Sequence, residues 1–274
     1  MLSKAKPKKG LKRDCIDKFY TKPEVAQKCV DYFHHYVKVK KSDIIIEPSA
    51  GSGSFSSLLS QHRLLAYDIR PEGEDIQEQD FLTLNTSFLA NKKIHVIGNP
   101  PFGRQASLAK KFIAKSAQFA DTISFILPKS FKKESFMNTF PRNFHLVFSY
   151  DLPSDSFTLE EKDYDVPCVF QIWERKNTER EVEVTVIPFY YCYVKKDQNP
   201  SISFRRVGVN AGTMSEDIDD KSPQSHYFIK LDDGIDVDDF LERYRENVEF
   251  EFDNTVGPKS VSKKELDRKL QNLF

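Results

Sequence analysis

Behind Pro23, apolar residues recur at every fourth position, Val25, Cys29, Phe33 and Val37, with Ala26 and Val30 beside them. That spacing draws one apolar stripe along a helix, and proline suits the first turn, where its missing N–H has no partner to lose. The period then changes. Residues 44–47, 64–68, 94–98, 122–127, 145–150 and 166–173 are short apolar or β-branched runs that predict strands. Between them, residues 54–61 and 106–119 carry helical spacing, the second with Leu108, Phe112 and Ile113 inward. Residues 75–79 form a weaker strand candidate. Strands that alternate with helices predict a doubly wound, mostly parallel α/β sheet covered on both faces.

After about residue 174 the pattern loosens. Residues 182–187, 202–207 and 227–231 read as strands separated by polar loops, and residues 237–246 and 261–270 as helices. The expected division is therefore a flexible basic arm over 1–17, an α/β domain over 18–176, and a small α+β extension over 177–274. That extension is a candidate substrate-recognition region.

Composition narrows the function classes only a little. Lys plus Arg and Asp plus Glu both total 41 in a chain of 274 residues, so no global field marks a nucleic-acid or membrane partner. Locally the balance breaks, because residues 4–13 are basic and residues 215–221 are mostly acidic. Cys15, Cys29, Cys168 and Cys192 form no CxxC pair, and the histidines show no HExxH-type spacing. Neither a disulfide framework nor a metal site is expected, which points to the cytoplasm or another reducing intracellular compartment. The longest apolar stretch, residues 186–194, is broken by Pro188 and falls far short of the ~20 residues of a membrane span. The basic N-terminus has no apolar stretch of the secretory kind.

The candidate chemistry lies at the ends of the predicted strands. In "IIIEPSAGSGSF", Gly51 and Gly53 follow a buried strand and precede a helix, where small residues let backbone approach a ligand. The next strand ends at Asp68, placed to offer a carboxylate to ribose hydroxyls. Asp80 and Phe81 in "EQDFL" pair an acceptor for an exocyclic amine with an apolar face for a ring. "VIGNPPF" then leaves a buried strand through Asn99, Pro100, Pro101 and Phe102, two consecutive prolines that stiffen the exit. A tight turn after residue 50 and a rigid corner at 99–102 would explain each motif separately, but not their order.

Together these motifs resemble the class I S-adenosylmethionine-dependent methyltransferases, and among them the amino-group enzymes of the adenine-N6 type. "EPSAGSG" is similar to that family's glycine-rich motif, and residues 99–102 to its catalytic tetrapeptide NPPF. "KFYTKPEVA" resembles the segment preceding the glycine motif in gamma-ordered DNA adenine methyltransferases, although Lys22 stands where that family usually has proline. The resemblance spans roughly residues 18–174 and implies a seven-stranded Rossmann-like sheet whose last strand is antiparallel. It implies S-adenosylmethionine contacts at Tyr20, Thr21, Glu47, Ser49, Ala50, Gly51, Gly53, Asp68, Ile69, Asp80, Phe81 and Asn99. It also implies catalysis at Asn99, Pro100, Pro101 and Phe102, and stacking of a target base between Phe102 and the Phe157 of "LPSDSF". The expected partner is a nucleic acid, DNA ahead of RNA. Two alternatives stay open: methylation of a protein glutamine amide, which presents the same planar NH2, and a non-catalytic nucleic-acid-binding subunit.

Overall fold

The computed structural model describes residues 19–159, 162–181, 189–252, 258–271 and 273. The expected basic arm over 1–17 and the expected strand over 182–187 lie outside them. Two compact units emerge, Met1–Arg180 and Glu181–Phe274.

The first unit runs β1 (Tyr20–Thr21), α1 (Pro23–Tyr36), β2 (Ile44–Glu47), α2 (Ser56–Leu59), β3 (Leu64–Asp68), β4 (Gln77–Glu78) and β5 (Ile94–Gly98). It continues through α3 (Ser107–Ser116), β6 (Thr122–Pro128), α4 (Glu134–Met137), β7 (Phe144–Asp151), β8 (Phe157–Leu159), β9 (Lys162–Tyr164) and β10 (Cys168–Arg175). Seven of these strands form one sheet in the order β4-β3-β2-β5-β6-β10-β7. All neighbours from β4 to β6 pair in parallel, and β10 runs antiparallel to both β6 and β7. This is the doubly wound, Rossmann-like sheet that the alternation of strands and helices called for.

Strand alternation sorts side chains onto two faces. Ile44 and Ile46 of β2, Val96 of β5, and Ile123, Phe125 and Leu127 of β6 enter one core with Ala109, Phe112 and Ile113 of α3. Ile45, Ile97, Ile126, Phe170 and Ile172 enter the other, under Val25, Ala26, Cys29, Val30 and Phe33 of α1. Each such aromatic or branched side chain taken fully out of water contributes about 1.5–3 kcal/mol before its lost rotamer freedom is counted.

Several boundaries depart from expectation. The helix expected over 54–61 is only the single turn of α2, since Gly53 has φ of 90° and a serine-rich start favours turns over helix. The helix expected over 106–119 starts at Ser107, because Gln105 and Ala106 adopt left-handed φ of 53° and 58°. The segment around Phe157, for which no strand was expected, forms a hairpin, β8–β9, to which β1 adds an antiparallel third strand pairing Thr21 with Phe157.

The second unit contains β11 (Tyr191–Val194), β12 (Ile202–Arg205), β13 (Met214–Ser215), β14 (His226–Leu231), α5 (Val237–Asn247) and α6 (Lys263–Leu270). Its strands form an antiparallel sheet in the order β11-β14-β12-β13. Phe240, Leu241 and Tyr244 of α5 and Leu266 and Leu270 of α6 share a core with Tyr191, Ile202, Phe204 and Ile229 of the sheet. Asp236 caps α5, and Ser262 with Glu265 forms a capping box on α6. Among the described residues, no helix is long and apolar enough to cross a membrane.

Candidate functional site

In the first unit the chain moves outward from β2 to β3 and β4, then returns to place β5 on the other side of β2. Such a reversal opens a crevice at the carboxyl ends of the strands. A cavity of about 360 Å³ lies there, lined by residues that follow β2, β3 and β5 and by the segment that opens with β1. Its wall includes Tyr20, Thr21, Glu47, Ser49, Ala50, Gly51, Asp68, Ile69, Asp80, Phe81, Asn99 and Pro101.

The turn after β2 is held by the end of β3. Asp68 Oδ2 accepts from the Gly51 N–H at 2.8 Å, and Oδ1 from the Arg70 N–H at 2.8 Å. Gly51 has φ of 53°, which glycine reaches without strain, and this turns its N–H toward the carboxylate. Asp80 has a structural task of its own, since its Oδ1 accepts from the Leu82 N–H at 2.9 Å and caps the short turn over Phe81–Thr83. Phe81 is buried against Phe112 of α3, with ring centroids 5.4 Å apart.

Glu47 is the electrostatic oddity. It is 1% exposed, and its Oε2 has no hydrogen-bond partner among the described residues. Burial pushes its carboxyl up to about 8, with the nearby Asp68 charge adding to the rise and hydrogen bonds from Ser56 opposing it. Gly98, at the end of β5, makes this placement possible: a Cβ there would stand 3.3 Å from Glu47 Cγ.

Asn99 follows Gly98 directly. Its Nδ2 donates to the Thr21 hydroxyl at 3.1 Å and to the Phe19 carbonyl at 3.4 Å, while the Ser49 hydroxyl donates to the Asn99 carbonyl at 3.1 Å. A carbonyl can only accept, so the Phe19 contact fixes which end of the amide is nitrogen. The remaining atom, Oδ1, is buried and unpartnered among the described residues.

Four expected site residues do not line the cavity. Gly53 shapes the turn, Pro100 is buried, and the half-buried Phe102 packs where the two cores meet. Phe157 is wholly buried among Phe55, Phe170 and Ile172, with Phe19 6.5 Å away. Its ring is therefore a core side chain of the small β1–β8–β9 sheet, and the expectation that it faces a target base is withdrawn. Other wall residues carried no motif: Glu72, whose carboxylate accepts from the Tyr20 hydroxyl at 2.5 Å, and Leu108 and Phe112, legible only as the inner face of a helix. The Phe19 carbonyl is invisible to side-chain reasoning altogether.

Residues 38–200 match the family model described as the EDM2 methyltransferase-like domain. The protein ENHANCED DOWNY MILDEW 2 of Arabidopsis thaliana is 27% identical over 214 residues, 70% of this chain, and the chain spans 16% of that protein's length. Among solved structures, a type I restriction-modification methyltransferase subunit from Streptococcus thermophilus is 12% identical, covering 87% of this chain and 55% of its own, with a TM-score of 0.46. A candidate RNA methyltransferase from Pyrococcus horikoshii is 14% identical, covering 58% and 87% respectively, with a TM-score of 0.45. With the family model matching more than half of its length, the chain belongs to the EDM2 methyltransferase-like domain family.

Proposed function

We propose that this chain is an S-adenosylmethionine-dependent methyltransferase acting on the exocyclic N6 amine of adenine in nucleic acid. The observation that carries the reading is Asn99, whose amide nitrogen is engaged by Thr21 and Phe19 while its buried oxygen has no partner. A buried acceptor without a donor costs free energy, and a substrate N–H would satisfy it.

The cavity residues suit the cofactor. Glu47 supplies a buried carboxyl with an unpartnered oxygen for a cation. Asp68 keeps lone pairs beyond its two backbone bonds for ribose hydroxyls, and Asp80 keeps its second oxygen for an adenine amine. Ile69, Phe81 and Phe112 offer apolar surface to a ring. When bound, the cofactor supplies an electrophilic methyl group on a sulfonium.

The work of the chain is to make the target amine a better nucleophile. The adenine N6 lone pair is delocalised into the ring. Two acceptors aimed at its hydrogens, Asn99 Oδ1 and the Pro100 carbonyl, favour a more tetrahedral nitrogen with the pair localised on it. The prolines fix the backbone between the two acceptors, so little reorganisation accompanies the development of charge. Phe102, half-buried beside them, offers a ring to the base. DNA is placed ahead of RNA because the segment over 19–23, FYTKP, resembles that of the DNA enzymes.

The test is incubation with methyl-labelled cofactor and separate DNA, RNA and protein pools, followed by digestion to nucleosides and amino acids. Label is expected in N6-methyladenine. Asn99→Ala should reduce turnover by about 100- to 1000-fold, the usual cost of one preorganised polar contact at a reacting centre, and change cofactor affinity only slightly. Label confined to glutamine, or full activity in folded Asn99→Ala, would overturn the reading.

A further inference from the structure

The second unit holds a cleft of about 710 Å³ between β11, the start of β14 and the first turn of α6. Its volume falls within the range of small-molecule sites. The rings of Tyr193 and Tyr227 meet there at 74° with centroids 5.7 Å apart, forming an L-shaped apolar wall. Tyr193 is held in place by its hydroxyl, which donates to the buried Asp267 Oδ1 at 2.6 Å. The neighbouring Tyr191 hydroxyl donates to the same oxygen at 2.5 Å.

Three lysines share this wall. The Lys263 ammonium stands over both rings, 4.1 Å from the centroid of Tyr193 and 5.6 Å from that of Tyr227. The Lys196 ammonium donates to the backbone carbonyls of Asp219 and Lys221, and Lys195 completes the set. No described carboxylate forms an ion pair with any of the three, and one carboxylate residue, Asp197, lies on the wall. This concentration of positive charge occurs in a unit where Asp and Glu outnumber Lys and Arg. Lys263 is also the first residue of α6, the helix end where the macrodipole disfavours a cation. The two tyrosine rings hold its ammonium there, and an incoming anion would add a charge partner that it lacks among the described residues.

We propose that this cleft is a second ligand site that takes a nucleotide, its phosphate on Lys195, Lys196 and Lys263 and its base against the Tyr193–Tyr227 wall. The class follows from combining cations with fixed aromatic surface, the pairing used to hold single-stranded nucleic acid. A bare phosphate would leave the tyrosine wall unused, and an acidic peptide would have no use for flat rings. The assignment is independent of the methyl-transfer reading.

The full chain, without cofactor, would be titrated with a fluorescein-labelled 12-nucleotide oligoadenylate at several salt concentrations. Unlabelled AMP, inorganic phosphate and polyglutamate would serve as competitors, and the His226 ring proton on the cleft wall would be followed by NMR. Oligoadenylate is expected to bind and to shift the His226 signal, with AMP competing better than phosphate. If AMP alone saturates the site the ligand is a free nucleotide, and if the oligomer binds far more tightly it is a strand. Lys195→Gln/Lys263→Gln should weaken binding about 5- to 10-fold and flatten the salt dependence by about 0.7 per lysine removed. The double lysine variant should keep its S-adenosylmethionine affinity in the 360 Å³ cavity, which neither lysine lines, so failure of the catalytic reading would not imitate failure of this one. Unaltered affinity in the double lysine variant, no His226 shift on saturation, or polyglutamate competing as well as AMP would overturn the proposal.

Discussion

Asn99 and Glu47 line one cavity and show two ways a buried polar group is kept ready. Asn99 has its nitrogen tied down at 3.1 and 3.4 Å so that one oxygen is left over, a device that spends two hydrogen bonds to orient a third. Glu47 is kept neutral instead, because a charge there would be buried beside Asp68. That neutrality has a measurable consequence. In the unfolded chain the carboxyl returns to its ordinary value of 4.5, whereas in the folded chain it holds its proton up to about 8. A group raised on folding contributes its full stability below the unfolded value and loses it as pH climbs through the folded one. Between these limits unfolding releases a proton, and stability should fall by roughly 1 kcal/mol per pH unit. Glu47→Gln, which cannot ionise, should remove that part of the slope. Urea unfolding of both proteins at pH 5, 6, 7 and 8 tests it. Equal slopes would mean that Glu47 is already ionised at neutral pH.

The three-stranded sheet β1–β8–β9 explains both what could be read from the sequence and what could not. Strands β2, β3, β5 and β6 were legible because each is a run of apolar residues buried on both faces of a parallel sheet, and the glycine and proline signals that end them set the cavity. Strands of two or three residues have no such period. The pairing of β1 also depends on a partner more than a hundred residues away, so Thr21 opposite Phe157 could not be foreseen, nor that Thr21 would hold Asn99. A ring in a polar context also reads alike whether it faces a ligand or a core, and for Phe157 the difference lay in a hairpin that no local signal announced. Its burial now fixes what its removal should do. Phe157→Ala should destabilise the protein by about 3–5 kcal/mol, as for other buried phenylalanines. It should also disturb β1, and with it the Asn99 amide, more than any step of base binding. Denaturant melts would check the size. A loss under 1 kcal/mol together with a raised Michaelis constant would return Phe157 to the site.

Each of the two units is complete in the sense that matters for folding. Among the described residues, the cores under α1 and α3 draw on residues up to Trp173, and the core of the antiparallel sheet on residues from Tyr190 onward. Every described residue lining the 360 Å³ cavity falls between Phe19 and Phe112, on the near side of the division at Arg180. A unit of 180 residues buries roughly 70% of its unfolded surface, enough for an independent core. Residues 1–180 produced alone should therefore fold cooperatively and bind S-adenosylmethionine within a few-fold of the full chain. The same fragment should lose the oligoadenylate affinity that depends on Lys195 and Lys263, because the cleft they line belongs wholly to the other unit. Thermal unfolding by circular dichroism, calorimetric titration with cofactor and the fluorescence titration separate these outcomes. A fragment with no cooperative transition would show that the cores are not independent. A folded fragment that retained full oligoadenylate affinity would move the strand-binding surface back to the Rossmann-like unit.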